Sequence, residues 1–409
     1  MHYLFVTLLL FQCHCCLSQI ENNNTEPASN SINNTLADTT IIKEEFYESI
    51  SIEAEEDEYN EDTKSREKQN RKDQKTLEKK EKSSIIYKVQ SQSFQDANDK
   101  LYLNKKISRQ QSFQRNPTIE QQSIMQNAND ILEVEDPNSF EYNLNKYVIG
   151  NYNTDNYLNL ISAEKINPKD EELIRQMAAH NIITNDKSKS NYYLNKLKEN
   201  GDLDKMSLKY CEDLLMSAPK NGTLITHGMV DSYGTHLNQI SKHLREDVQI
   251  INLDFLQSES YKKELNSKGY YIPKAQNIDV SFVRQFCEKN ESKKLALSLT
   301  IPKNYLIPLQ NQLYISGLVF EYHLNGFPVD LINKNILFWN EKMNKAVLST
   351  NDDLSKKLAS NYLPMLLNIR KYYSNQGNDI EVIKIDKQIN SISQKCGKTK
   401  QIKKLKSAY

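Results

Sequence analysis

The sequence predicts an α/β fold with α-helical repeats: a small Rossmann-like βαβ module flanked by tetratricopeptide-like helical hairpins, behind a disordered N-terminal region. Three observations predict it. Between Pro137 and Gly201, apolar residues recur at helical spacing in short runs separated by turn residues. From Met206 to Leu348, short apolar runs alternate with helical ones, the pattern of a parallel sheet. From Gln19 to Asp136, charge comes in blocks and apolar residues are too sparse to offset the entropy of ordering.

The first element is a targeting signal. Residues 1–18 (MHYLFVTLLLFQCHCCLS) hold an apolar stretch, Leu4–Phe11, followed by the small residues Cys16 and Ser18 at −3 and −1 of a cleavage before Gln19. That stretch is shorter than the roughly 20 residues a membrane-spanning helix needs. A lipoprotein reading is open through Cys13, although Gln12 before it is large for such a site. Residues 19–136 are expected to be mostly disordered. An Asn/Thr/Ser-rich start leads into an acidic block, Glu44–Asp62, and a Lys-rich block, Lys64–Lys82. The apolar island Ile85, Ile86, Tyr87, Val89 is expected to be a strand or docking peptide.

Helical hairpins are expected over 137–205. Their stripes are Tyr142–Val148, Tyr157–Ala163, Leu173–Ile182 and Tyr192–Leu197, the last stopped by Asn200 and Gly201. Pro168 followed by KDEELIRQMAAHNI suggests a degenerate tetratricopeptide-like array, although the Trp and Gly positions usual in that repeat are poorly met. The α/β module is expected over 206–348. It opens with a helix ending at Ala218-Pro219, then a strand in NGTLITHG, a helix over Asp231–His243 and a strand over Asp247–Leu253. A strand–helix–strand of this length forms a parallel pair. Leu295–Leu299 is a third strand and Leu313–Leu324 a fourth; Tyr270–Pro273 is a loop docking on the sheet. A helical hairpin is expected over 349–395, with Gly377 between its helices, and a frayed basic tail over 396–409.

Composition narrows the function. Of 409 residues, 53 are Lys or Arg and 53 Asp or Glu, so the net charge of +0 argues against a generic nucleic-acid binder. Gly numbers only 10, which excludes glycine-rich phosphate loops and collagen-like repeats. No later run of 18 apolar residues exists, so the mature chain should not span a membrane. Cys211, Cys287 and Cys396 remain after cleavage; their number and spacing suit buried thiols rather than a disulfide framework, with one bridge as the alternative.

Four pieces in order carry a family resemblance. SAPKNGTLITHGMVDSYG matches a helix, a Pro and a strand ending in Gly, with Gly228, Asp231, Ser232, Tyr233 and later Gln239 in place. REDVQIINLDFL matches a Val-rich strand ending Asn-Leu. LALSLTIPKNY and LYISGLVFEY match the next two strands, and ASNYLPMLLNIRKYYSNQGND with IEVIKIDKQI the final helices. On these, residues 206–394 resemble the extracytoplasmic C-terminal region of the Bacteroidota membrane proteins related to protein O-mannosyltransferases. Met229, Val230, Gly234 and His236 depart from the family's pattern. The family's membrane domain has no counterpart in these residues. The resemblance therefore implies an extracytoplasmic fold rather than transferase activity.

The densest polar cluster is Thr226, His227, Gly228, Asp231, Ser232, Tyr233 and His236, after a strand and around a helix start. Ligands of open α/β sheets bind at such strand ends, and a helix start attracts anions, so a glycan or small anionic ligand fits here. The plainer reading is that Asp231 caps the helix. His227, Asp231 and Ser232 lack the spacing of a hydrolase triad, and no compact histidine motif marks a metal site. Trp339 reads as a packing residue. We therefore expect no catalytic residues, no metal and no cofactor. The expected function is a secreted or periplasmic binding or scaffold protein of the envelope, with a protein partner held by the helical repeats. The alternatives are an accessory or degenerate glycan-processing protein working with a membrane glycosyltransferase, and a purely structural envelope protein.

Overall fold

A computed structural model describes residues 84–110, 115–326, 328 and 330–407. The chain divides into two units, Met1–Glu44 and Glu45–Tyr409, and every described residue belongs to the second. The expected signal peptide, the acidic block and the Lys-rich block lie outside the described residues.

The described chain is a mostly helical α/β protein built on a mixed five-stranded sheet. Helices α1 (Ser84–Gln110), α2 (Ile119–Glu135), α3 (Phe140–Val148), α4 (Tyr157–Ile166), α5 (Glu171–Ile183) and α6 (Lys187–Asn200) come first. Each start from α2 onward uses a local signal except α4: Thr118 and Gln121 form a capping box on α2, and Ser139, Asp170 and Asp186 cap α3, α5 and α6. Gly201 ends α6 in the left-handed conformation, as its position after Asn200 predicts. Consecutive helices α1 and α2, α3 and α4, and α5 and α6 pack on each other.

Helices α1 and α2 correct the expectation of disorder through residue 136. Their apolar residues are few but fall in helical register. Ala97 and Leu101 of α1 meet Met125, Ala128 and Leu132 of α2, and Tyr142 and Ile149 close this small core. Composition underestimated it because the contact needs only one stripe on each helix.

After α7 (Lys205–Ser217) come β1 (Thr223–Thr226), α8 (Met229–Lys242), β2 (Gln249–Asn252), α9 (Glu259–Ser267), α10 (Val280–Lys289), β3 (Leu295–Ser298), the short α11 (Lys303–Leu306), β4 (Leu313–Ser316) and β5 (Val319–Tyr322). The order across the sheet is β2-β1-β3-β5-β4. β1 pairs in parallel with β2 and β3, Ile225 lying opposite Ile251 and Leu297. Every residue of β1 and β3 is buried, which is why these strands read as apolar runs without alternation. Helix α8 joins β1 to β2 as expected.

The fourth expected strand, Leu313–Leu324, is instead two strands. Ser316 pairs with Val319, so Gly317 and Leu318 form a two-residue turn and β5 runs back antiparallel to β4 and to β3. Gly317 takes φ +62°, and a Cβ there would fall 2.3 Å from Ser217 Oγ. A glycine was visible in the run, but its chain reversal depends on this close approach to α7.

Helices α12 (Leu331–Leu337), α13 (Asp353–Ala359), α14 (Leu363–Asn375), α15 (Asp379–Lys395) and α16 (Thr399–Ser407) complete the chain. Gly377 adopts φ +65° between α14 and α15. The tail expected to fray is helix α16: Ile402 and Leu405, three residues apart, are both 3% exposed, and Lys406 bonds Asn390 of α15 at 3.0 Å and pairs with Asp386. Trp339 is buried edge-on to Tyr362, as its packing role requires. Cys211 and Cys287 are buried thiols, and Cys396 is half-buried. No helix among the described residues is long and apolar enough to cross a membrane.

Candidate functional site

The candidate site lies past the carboxyl ends of β1, β2 and β3. The connection leaving β1 runs to β2 on one side and the connection leaving the neighbouring β3 runs to β4 on the other, the arrangement that opens a crevice in α/β sheets. Gly228 turns the chain from β1 into α8 at φ +76°, ψ 168°, a conformation that side chains disfavour. Gly228→Ala should cost about 1–3 kcal/mol in urea unfolding, because a side chain is strained at that positive φ.

Five of the seven expected residues gather here. Asp231, 2% exposed, sits in the first turn of α8, but it does not cap that helix. Its Oδ2 accepts hydrogen bonds from Ser298 Oγ, at the end of β3, and from Thr300 Oγ1 at 2.7 Å. It therefore ties α8 to the end of β3, and the capping reading is corrected. Burial raises its pKa to about 6, against the opposing pull of the two hydroxyls. Ser232 Oγ turns the other way and donates to Thr226 Oγ1 at 3.0 Å.

The imidazole of His227 bridges two groups. Nδ1 lies 3.1 Å from the Thr300 carbonyl oxygen, and Nε2 lies 2.5 Å from Arg115 Nη1. A carbonyl can only accept, so Nδ1 carries the proton and Nε2 receives the Arg115 N–H. Burial, followed by the charge of Arg115, pushes the His227 pKa down to about 4. His227 and Asp231 thus share Thr300, one through its carbonyl and the other through its hydroxyl, while Ser232 bonds Thr226; none forms a nucleophile–base pair with another.

Tyr233 and His236 do not join the cluster. The Tyr233 hydroxyl reaches the Arg175 carbonyl of α5 at 3.4 Å, which links α8 to the helical hairpins. His236 stands two turns into α8, where burial and then Lys268 lower its pKa to about 4. Among the described residues, no group of three or more His, Cys, Asp or Glu could hold a metal ion.

Four contributors escaped the sequence reading. Ser298 and Thr300 sit at the end of the strand LALSLT, where hydroxyls could have been flagged as strand-end groups. Asp254 follows β2, and its Oδ1 lies 3.6 Å from Arg115 Nη1. Arg115 precedes α2 and is 112 residues from His227. Nothing local to Arg115 signals this contact.

A second concave feature lies away from the sheet. Helices α1 and α2 leave a groove of about 720 Å³ between them, with Ala97 and Ala128 at its floor and Ile124, Ile131, Asp96 and Lys100 among its walls. No protein-family profile, curated protein or solved structure matches this chain, so the site and the groove stand on their own geometry.

Proposed function

We propose that this is an extracytoplasmic, non-catalytic adaptor of the bacterial envelope, which binds a protein partner through its helical hairpins and uses the α/β module as a rigid core. The observation that carries the reading is the α1–α2 groove. Two alanines on facing helices lower its floor, aliphatic side chains line it, and Asp96 and Lys100 supply polar contacts. That combination suits an apolar helix with a polar rim, the helix-in-groove mode of recognition. Nearby Ile131 and Val134 of α2 are 42% and 85% exposed, a continuation of the apolar surface that a partner would cover.

Two further points support it. The polar side chains at the sheet end are committed to each other rather than converging on one open position, which favours a binding protein over an accessory glycan-processing one. The signal-like N terminus and the resemblance to an extracytoplasmic region favour the envelope.

The test is crosslinked capture from native cells with three forms: wild type, Ile131→Glu and Asn127→Trp. Both substituted positions are exposed, so the fold should tolerate the changes, while one charges the groove and the other fills it. A protein captured by wild type should fall at least about tenfold with either variant, the equivalent of 1.4 kcal/mol. Equal capture by all three forms rejects the groove. Copurification of a glycan or lipid-linked sugar in place of a protein would favour the glycan-processing reading.

A further inference from the structure

The crevice at the carboxyl ends of the parallel strands is filled by a side chain from outside the α/β module. Arg115 precedes α2, yet its side chain is 4% exposed and lies among residues that follow each parallel strand. From the end of β1, His227 offers Nε2 at 2.5 Å. From the end of β2, Asp254 offers a carboxylate oxygen at 3.6 Å. Beyond β3, the Tyr305 ring has its centroid 5.9 Å from the guanidinium carbon. The backbone holds the arginine in register. Arg115 N–H donates to the Ile278 carbonyl at 3.2 Å, and Ile278 N–H donates back to Asn116 Oδ1 at 2.8 Å. The Tyr305 hydroxyl donates to that same Ile278 carbonyl at 2.7 Å, which fixes the ring.

These groups form a chemically specific set. A neutral imidazole acceptor, a carboxylate and an aromatic face match the three properties of a guanidinium: directed N–H donors, positive charge and a flat, weakly hydrated surface. An ammonium has the charge but neither the fork nor the plane. An anion is excluded by Asp254 and by the lone pair of His227. The small anionic ligand expected at Gly228–Ser232 therefore does not suit this crevice.

We propose that the crevice is a guanidinium-recognition pocket whose ligand class is the arginine side chain, held in cis by Arg115 and open to an arginine from a partner peptide when Arg115 is absent. It lies where open α/β sheets bind their ligands, and its walls come from all three parallel strands. Arg115 is thus an intramolecular ligand, which joins the helical region to the sheet by the same contacts that would read an incoming arginine. This inference does not depend on the α1–α2 groove.

The test is thermal unfolding of wild type, Arg115→Ala and Arg115→Ala/Asp254→Asn with N-acetyl-arginine methylamide as probe and N-acetyl-lysine methylamide as control. Arg115→Ala should unfold at a lower temperature than wild type. The arginine probe should raise its midpoint saturably, by roughly 2–4 °C at about tenfold excess over Kd. Wild type, the double variant and the lysine control should not respond. No saturable rise in Arg115→Ala, or an equal rise in wild type or with the lysine probe, would overturn the proposal and leave Arg115 a structural tie. If Arg115→Ala does not fold, Arg115→Lys takes its place with the His227 ring resonances as readout. Those resonances should move with the arginine probe alone; their staying still counts against the pocket equally.

Discussion

Acidification from pH 6 to pH 4.5 is expected to destabilise the fold by about 3–4 kcal/mol, measured by urea unfolding across that range. His180 is buried and His227 and His236 are half-buried, and loss of solvent around each ring lowers its pKa from 6.5 to about 4 and holds it neutral. Their stabilising effect is complete above the unfolded value near 6.5 and is lost as pH falls toward 4. His180 is the clearest case: its ring stacks on Tyr157 at 4.0 Å, its Nδ1 lies 3.2 Å from the Tyr147 hydroxyl, and burial opposes a charge there. Asp231 acts in the opposite direction. Its pKa is raised to about 6, so its contribution is greatest at low pH and is lost as pH rises through 6.

Near pH 5 the unfolded chain therefore holds roughly two more protons on these four groups than the folded one, a slope of about 2.5 kcal/mol per pH unit. His227→Gln should cut that slope by about half, and Asp231→Asn should steepen it to about 4 kcal/mol per unit by removing the opposing group. A profile flat between pH 6 and 4.5 would mean that these histidines are solvated and free to charge.

The second large effect is expected at Asp213. This residue of α7 is 1% exposed, and its carboxylate accepts from the backbone N–H groups of Asn344 and Lys345 at 2.7 and 3.0 Å and from the Tyr362 hydroxyl at 2.7 Å. It pins the segment before α13 and the start of α14 to the sheet's helical cover. Asp213→Ala leaves three donors without their acceptor, the Tyr362 hydroxyl in a buried setting and the two backbone N–H groups in a part-buried one, and should cost about 2–4 kcal/mol in urea unfolding. Tyr362→Phe removes one of the three bonds and should cost about 1 kcal/mol. The double variant should cost less than the sum, because both changes act on one network. Limited proteolysis should then find new cleavage around residues 343–350. Resistance there in Asp213→Ala would show that apolar packing alone holds the C-terminal helices.

Most elements announce themselves locally. The helical stripes from Tyr142 to Leu197, the stop at Gly201, the strand after Asn221-Gly222 and the turn at Gly377 each follow from a few adjacent residues. The position of Gly228 between an apolar strand and a helix also marks the sheet end as the place to look. Four helices within the α/β region are not legible: α9, α10, α11 and α12 are short, and their apolar residues mix with polar ones. The β4–β5 hairpin was read as one strand for a different reason. Its single glycine could sit in a bulge or a turn, and the packing against Ser217 selects the turn.

The candidate site divides along the same line. Asp231, His227 and Ser232 were legible as polar residues at a strand end, because that much depends on neighbours within a few positions. Which groups they meet was not legible. Asp231 bonds residues 67 and 69 positions away, and His227 meets an arginine 112 positions away. Periodicity, capping and turn chemistry are short-range properties, so the chain's elements and their order can be read from its letters. Hydrogen bonds between distant residues form only when the sheet brings three strand ends together. That closure turns a suspected anion site into a pocket shaped around a guanidinium.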